Sequence, residues 1–240
     1  MEMDKFLDGR VAIVTGGSRG IGYAIAEQIL THGGCAVITG TNEATLARAA
    51  ERLARAGRVE AVRADVRKPG DVTRMVERAA EAFGGIDILV NNAGVGQFVH
   101  AADMTIEQWH EVVDTNLTGV FYCCHAAIPY MRRRGGGWIV NVSSLAGKNA
   151  FVGGSAYCAS KAGLNAFSES LMQEVRYDGI RVSYVMPGSV ATEFGGTPSE
   201  EPWKLTAGDV AQVVLDLLAH EKRSLPSRVE IRPSQPPRKG

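Results

Sequence analysis

The chain has 240 residues, 45% of them hydrophobic, with 26 Lys and Arg balancing 26 Asp and Glu for a formal net charge of zero. That length and apolar content suit one α/β domain over 1–240, with an ordered core at about 6–232. Balanced charge argues against non-specific nucleic-acid or anionic-membrane binding, and no apolar stretch reaches the ~18 residues of a membrane span.

The polar, acidic start MEMDKFLDGR is unlike a signal peptide. Cys35, Cys123, Cys124 and Cys158 form no C-x-x-C pair, which points to reduced thiols in a cytoplasmic protein. The histidines show no ligand spacing with Cys or carboxylates, so no metal site is expected.

In chain order, short apolar runs alternate with helical patterns. Strands are predicted over 11–15, 35–39, 59–63, 86–90, 138–142, 181–186 and 229–232. Helices are predicted over 20–31, 43–56, 69–83, 116–134, 156–177 and 206–220. A further helix opens at the capping-box pattern Thr105-Ile-Glu-Gln108. Continuously apolar strands separated by helices predict a doubly wound, Rossmann-like parallel sheet with helices on both faces. Its site lies at the carboxyl ends of the strands. The tail 233–240, rich in proline, is expected to fray.

Between the first strand and helix lies Thr15-Gly16-Gly17-Ser18-Arg19-Gly20-Ile21-Gly22. Glycines there let the backbone approach a pyrophosphate at the helix N-terminus. Dinucleotide sites for NAD place an acid at the end of the second strand, and NADP sites replace it with a cation. Here that end reads Thr39-Gly40-Thr41-Asn42, without an acid, and Arg19 is placed to clamp a 2′-phosphate. Both features point to NADP(H), with Thr41 beside the phosphate.

Tyr157 and Lys161 stand four apart on a predicted helix, which puts a phenol and an ammonium on one face. A tyrosine working near neutrality needs its pKa brought down by roughly 3, part of which a fixed cation supplies. Ser144 lies thirteen residues before Tyr157 and could hold a substrate oxygen. Taken alone, the pair also reads as an ordinary surface tyrosine and lysine.

With these features in order, the chain resembles the short-chain dehydrogenase/reductase family over about residues 8–232. Thr15–Gly22 fits its T-G-x-x-x-G-x-G, Asn91-Asn92-Ala93-Gly94 its N-N-A-G, and Pro187-Gly188-Ser189-Val190-Ala191-Thr192 its P-G-x-x-x-T. The resemblance implies that Asp65 and Val66 contact adenine, and that Asn92, Ala93, Gly94, Pro187, Gly188, Val190 and Thr192 line the cofactor site. It implies a catalytic set of Asn116, Ser144, Tyr157 and Lys161, with Ser143 the near alternative to Ser144. Tyr157 is then the proton donor or acceptor. Lys161 lowers its pKa and binds the nicotinamide ribose. Asn116 distorts its helix and holds a water. The implied activity is hydride transfer between nicotinamide and a ketone or secondary alcohol, such as a 3-oxoacyl thioester or small 3-oxo acid. A catalytically silent nucleotide sensor or scaffold, or an NAD-dependent alcohol or sugar dehydrogenase, is the competing reading.

The C-terminal end departs from the family. Residues 193–205 are short and polar where many members carry a longer helical lid, which implies an open site. Substrate-side candidates are Gln97, Phe98, Leu145, Phe151, Gly188, Phe194 and Trp203; His100 is expected at the surface. The resemblance makes helices 116–134 and 156–177 a subunit contact. Their apolar positions Val120, Phe121, Ala126, Leu164, Phe167 and Leu171 predict a homodimer or homotetramer.

Overall fold

Seven parallel strands form one sheet. They are β1 (Val11–Val14), β2 (Cys35–Gly40), β3 (Val59–Arg63), β4 (Ile88–Asn91), β5 (Gly137–Val142), β6 (Ile180–Pro187) and β7 (Arg228–Ile231). Their order is β3-β2-β1-β4-β5-β6-β7. The computed structural model describes residues 5–192, 194 and 201–237. The order reverses between β1 and β4, so the crevice for a ligand opens at their carboxyl ends.

Both faces of the central strands are buried, which is why β1, β2, β4 and β5 carry apolar residues at nearly every position, while the edge strands β3 and β7 are partly exposed. Successive side chains point to opposite faces. Ala12, Val14, Ile38, Val90 and Val140 pack into one core cluster, while Ile13, Val37, Leu89 and Ile139 pack into another. Helices α1 (Gly20–Thr31), α2 (Glu43–Leu53) and α7 (Ala207–Ala219) bury their apolar stripes in the first cluster. Helices α3 (Pro69–Phe83), α5 (Gly119–Arg133) and α6 (Ser155–Val175) bury theirs in the second.

Local signals account for the helix starts. Thr105 and Gln108 form the expected capping box at α4 (Ile106–Val113), and Thr206 and Asp209 form another at α7. The expected gap before residue 116 is instead a single continuous helical run. A π segment, Asp114–Thr118, joins α4 to α5. The wider turn carries Asn116 inward, and Gly119 lies where a Cβ would come within 2.8 Å of Val66.

Three further expectations change. Strand β4 begins at Ile88 rather than residue 86, because Asp87 turns its carboxylate onto the Val11 amide and two arginines. Val120, Leu164 and Leu171 belong to the core rather than to an outer contact face. Phe121 does remain about half exposed, edge-on to Phe167 with ring centroids 6.4 Å apart. Finally, the tail does not fray throughout: Pro233, Pro236 and Pro237 lie along the crevice. The rest of that expectation, residues 238–240, and most of the lid reading, residues 193 and 195–200, lie outside the described residues.

No helix among the described residues is long and apolar enough to cross a membrane. The four cysteines are buried and unpaired. Burial pushes the Cys124 thiol up to about 12 and Cys123 higher still, so both are packing residues.

Candidate active site

A cleft of about 1410 Å³ runs along the carboxyl ends of the strands. At one end lies the Gly-rich turn. Gly16 takes a left-handed φ of 64°, and a Cβ there would sit 3.0 Å from the Ala93 Cα. Only glycine fits that approach. Asn92 fastens the turn by donating to the carbonyls of Thr15 and Gly16 at 2.9 and 3.2 Å. Thr15 Oγ1 in turn accepts from the Asn92 and Ala93 amides, both at 3.0 Å.

The first turn of α1 holds no acidic residue, and no side chain caps it. Its amides are therefore presented to the cleft, the arrangement that receives a pyrophosphate. Gly16, Ser18, Arg19, Gly20 and Ile21 line this end. Gly22 stands behind it, against Asn92 and Gly16. Thr41, at the end of β2, also lines the cleft, and its carbonyl accepts from Arg63 Nε at 3.1 Å. Asp65 and Val66 follow β3 on the same wall. Arg67, which the sequence reading passed over, grips Asp65 through a two-pronged pair as close as 2.7 Å. That bond is the largest cause holding the Asp65 carboxyl below its usual range.

The opposite end gathers Ser144, Tyr157 and Lys161 with Asn92, Ala93, Gly94, Pro187, Gly188, Val190 and Thr192. The two serines after β5 part company. Ser143 Oγ binds Asn165 Oδ1 at 2.5 Å and is spent on the helix behind. Ser144 Oγ accepts from the Ala146 amide at 3.1 Å, and its influence on the Tyr157 phenol is to lower the pKa.

Burial is the larger influence on that phenol, and it pushes the Tyr157 pKa up despite Ser144. This reverses the lowering expected from Lys161. The ammonium stands 5.8 Å from the Tyr157 ring centroid and donates to the Val142 carbonyl at 2.9 Å. Burial also lowers Lys161 to about 8. Asn116 is committed on all sides: its Oδ1 accepts from the Val95 amide at 2.9 Å. Its Nδ2 donates to the Val95 carbonyl at 2.9 Å and to Ser160 Oγ at 3.1 Å. Its amide thus pins the strand-end loop beside Gly94.

Of the substrate-side candidates, Phe98, Leu145, Phe151, Gly188, Phe194 and Trp203 line the cleft. Gln97 does not, because its amide is drawn to Glu111 at 3.1 Å. His100 is exposed, as expected. Beyond Arg67, the sequence reading missed Glu111, Lys204, Arg232 and the tail prolines. Three prolines in five residues signal a stiff segment, but not where it is laid.

A model of the short-chain dehydrogenase family matches residues 10–203. The chain belongs to that family. An uncharacterised oxidoreductase of Staphylococcus saprophyticus is 34% identical over 95% of this chain and 98% of its own. A 3-oxoacyl-[acyl-carrier-protein] reductase of Chlamydia muridarum is 38% identical over 80% of this chain and 78% of its own. Among solved structures, a metagenomic short-chain oxidoreductase in complex with NADP superimposes with a TM-score of 0.85 at 34% identity. It covers 96% of this chain and 99% of that one. The protein is accordingly an oxidoreductase of the short-chain dehydrogenase family, acting on small molecules.

Proposed function

We propose that the enzyme moves a hydride between NADP(H) and a ketone or secondary alcohol, with Tyr157 as general acid or base. One observation carries this reading: a phenol, a hydroxyl and a buried ammonium meet on one wall of a cleft whose other end presents bare helix amides. The cofactor, when bound, supplies or accepts the hydride. In the reducing direction the carbonyl carbon gains that hydride and the oxygen gains the Tyr157 proton, which the phenolate recovers from solvent, so ketone, NADPH and one proton give alcohol and NADP⁺. Ser144 holds the oxygen while charge develops on it, and Lys161 offers its ammonium to the phenolate left behind. Gly94 keeps the floor open, since a Cβ there would stand 3.2 Å from Asn116 Oδ1 and 3.7 Å from Lys161 Nζ.

NADP(H) is favoured over NAD(H) by the missing acid after β2 and by Arg19 on the cleft wall. The NADP held by the structural neighbour supports the same choice. Arg19→Ala should lower kcat/KM for NADPH by ~10- to 100-fold while changing that for NADH little. A parent enzyme that favours NADH would sink this preference. We also assign self-association to the α5–α6 face around Phe121 and Phe167; sedimentation equilibrium should give a dimer or tetramer mass, and a monomer mass refutes it.

A further inference from the structure

Two phenylalanines from distant parts of the chain pack against the Tyr157 ring, and a third packs behind one of them. Phe98, in the loop after β4, stands edge-on to it with centroids 5.7 Å apart and planes at 78°. Phe194, beyond β6, lies 5.6 Å from Tyr157 at 49° and 6.5 Å from Phe98 at 66°. Phe151, between β5 and α6, joins through Phe98 at 5.8 Å and 50°.

None of the three is a core residue. Phe98 and Phe151 are 48% exposed and Phe194 44%. All three line the cleft that also holds Tyr157. Large apolar side chains gathered in the open mark a binding surface more than a packing need. The backbone accommodates the cluster: a Cβ on Gly96 would come within 3.0 Å of both Phe194 and Phe98.

Three cations around the cleft pair with nearby acids. Arg67 pairs with Asp65 at 2.7 Å, Arg232 with Glu230 at 2.7 Å, and Lys204 with Glu201 at 3.3 Å. Lys161 donates to the Val142 carbonyl. Among the described residues, the wall beside Tyr157 offers mainly ring edges and faces, with Lys161 the cation that reaches its ring. Ring edges and faces select other rings through quadrupole geometry. A flexible acyl chain would lose rotor freedom without that gain.

We propose that the carbonyl is carried on a flat, apolar, ring-bearing body, an aryl or fused-ring ketone, and that Phe98 sets this preference. The inference rests on the hydride-transfer reading above and narrows its substrate class.

The test compares α-tetralone, acetoacetate and the N-acetylcysteamine thioester of acetoacetate as NADPH oxidants. The parent enzyme should favour α-tetralone by at least ~10-fold in kcat/KM. Phe98→Ala should raise its KM by ~10-fold and cost acetoacetate less, so that the preference for α-tetralone narrows. A second readout is calorimetric binding of α-tetralone to the Tyr157→Phe enzyme saturated with NADP⁺, which Phe98→Ala should weaken by the same factor. Preference for acetoacetate or the thioester overturns the proposal, as does an equal loss on all substrates in Phe98→Ala or no binding of α-tetralone. The two readings fail separately. Saturable, Phe98-dependent binding with no carbonyl reduced would support the ligand class and sink hydride transfer. Turnover of acetoacetate without α-tetralone binding would do the reverse.

Discussion

Two charges are buried at opposite ends of the sheet, and the protein treats them differently. Asp87, at the amino end of β4, is 3% exposed and receives Arg10 at 3.1 Å, Arg134 at 3.0 Å and the Val11 amide at 3.0 Å. Lys161, at the carboxyl end, is 4% exposed and has a neutral acceptor, the Val142 carbonyl. The first charge is compensated and closes the fold. The second is held in low dielectric with no carboxylate beside it among the described residues, and burial lowers its pKa to about 8. Strained protonation of that kind belongs to a chemical site, whereas a compensated carboxylate belongs to a frame.

The largest expected effect lies at the carboxyl end. Tyr157→Phe should cut turnover by ~10³-fold or more, with NADPH affinity within ~2-fold by fluorescence titration. Parental turnover in that variant would remove the phenol from the mechanism.

Next comes the amino end. Asp87→Ala leaves the buried Val11 amide unpaired while its two arginines turn to water, and should lower stability by about 1–3 kcal/mol in urea titration. Its kcat/KM at a temperature where it stays folded should match the parent. Lost activity in a folded Asp87 variant would break the division between frame and site.

Lys161 gives an effect of opposite sign. Its folded pKa, about 8, lies below the ordinary 10.5, so the unfolded chain binds more protons between those values. The fold carries the full burden of the buried ammonium below about 8, and stability from this group rises as pH climbs from there towards 10.5. Lys161→Met should therefore be inactive yet more stable at pH 7 by at most about 3 kcal/mol, at ~1.4 kcal/mol for each tenfold change in proton affinity. It should also lose the parent's upward stability slope across that range. In the parent, kcat/KM for reduction should fall as pH rises through about 8 and the ammonium is lost.

The smallest effect concerns Glu230, which ties Lys148, just after the Ser144 turn, to Arg232 beside Pro233, each at 2.7 Å. Glu230→Gln should leave the urea midpoint close to the parent's, because water screens both pairs. Any change should appear in substrate KM, since Leu145 and Pro233 both pack against Gly188.

Much of this is legible from residue patterns. Alternating apolar runs mark all seven strands, and the Gly-rich turn and the Tyr157–Lys161 spacing locate both ends of the cleft. Such signals are local: a four-residue spacing or a turn acts through its own backbone. Other features depend on long-range neighbours. Sequence position alone puts Gln97 at the substrate, but Glu111, fourteen residues away, claims it. The helix through Asn116 reads as two, because a π segment changes the register without changing the apolar period.

By itself, then, the sequence determined the order and kind of the elements, the edge of the sheet that works, and the residues collected there. These follow from periodicity, glycine freedom and the right-handed winding of β–α units. Only the tertiary structure decided that Ser143 is taken by Asn165, that burial raises Tyr157, and that Phe98 and Phe194 pack against its ring with Phe151 behind Phe98. The physical reason is that burial and ring contact are properties of neighbours brought together from across the chain. No local pattern encodes how far a side chain will be from water once that packing is complete.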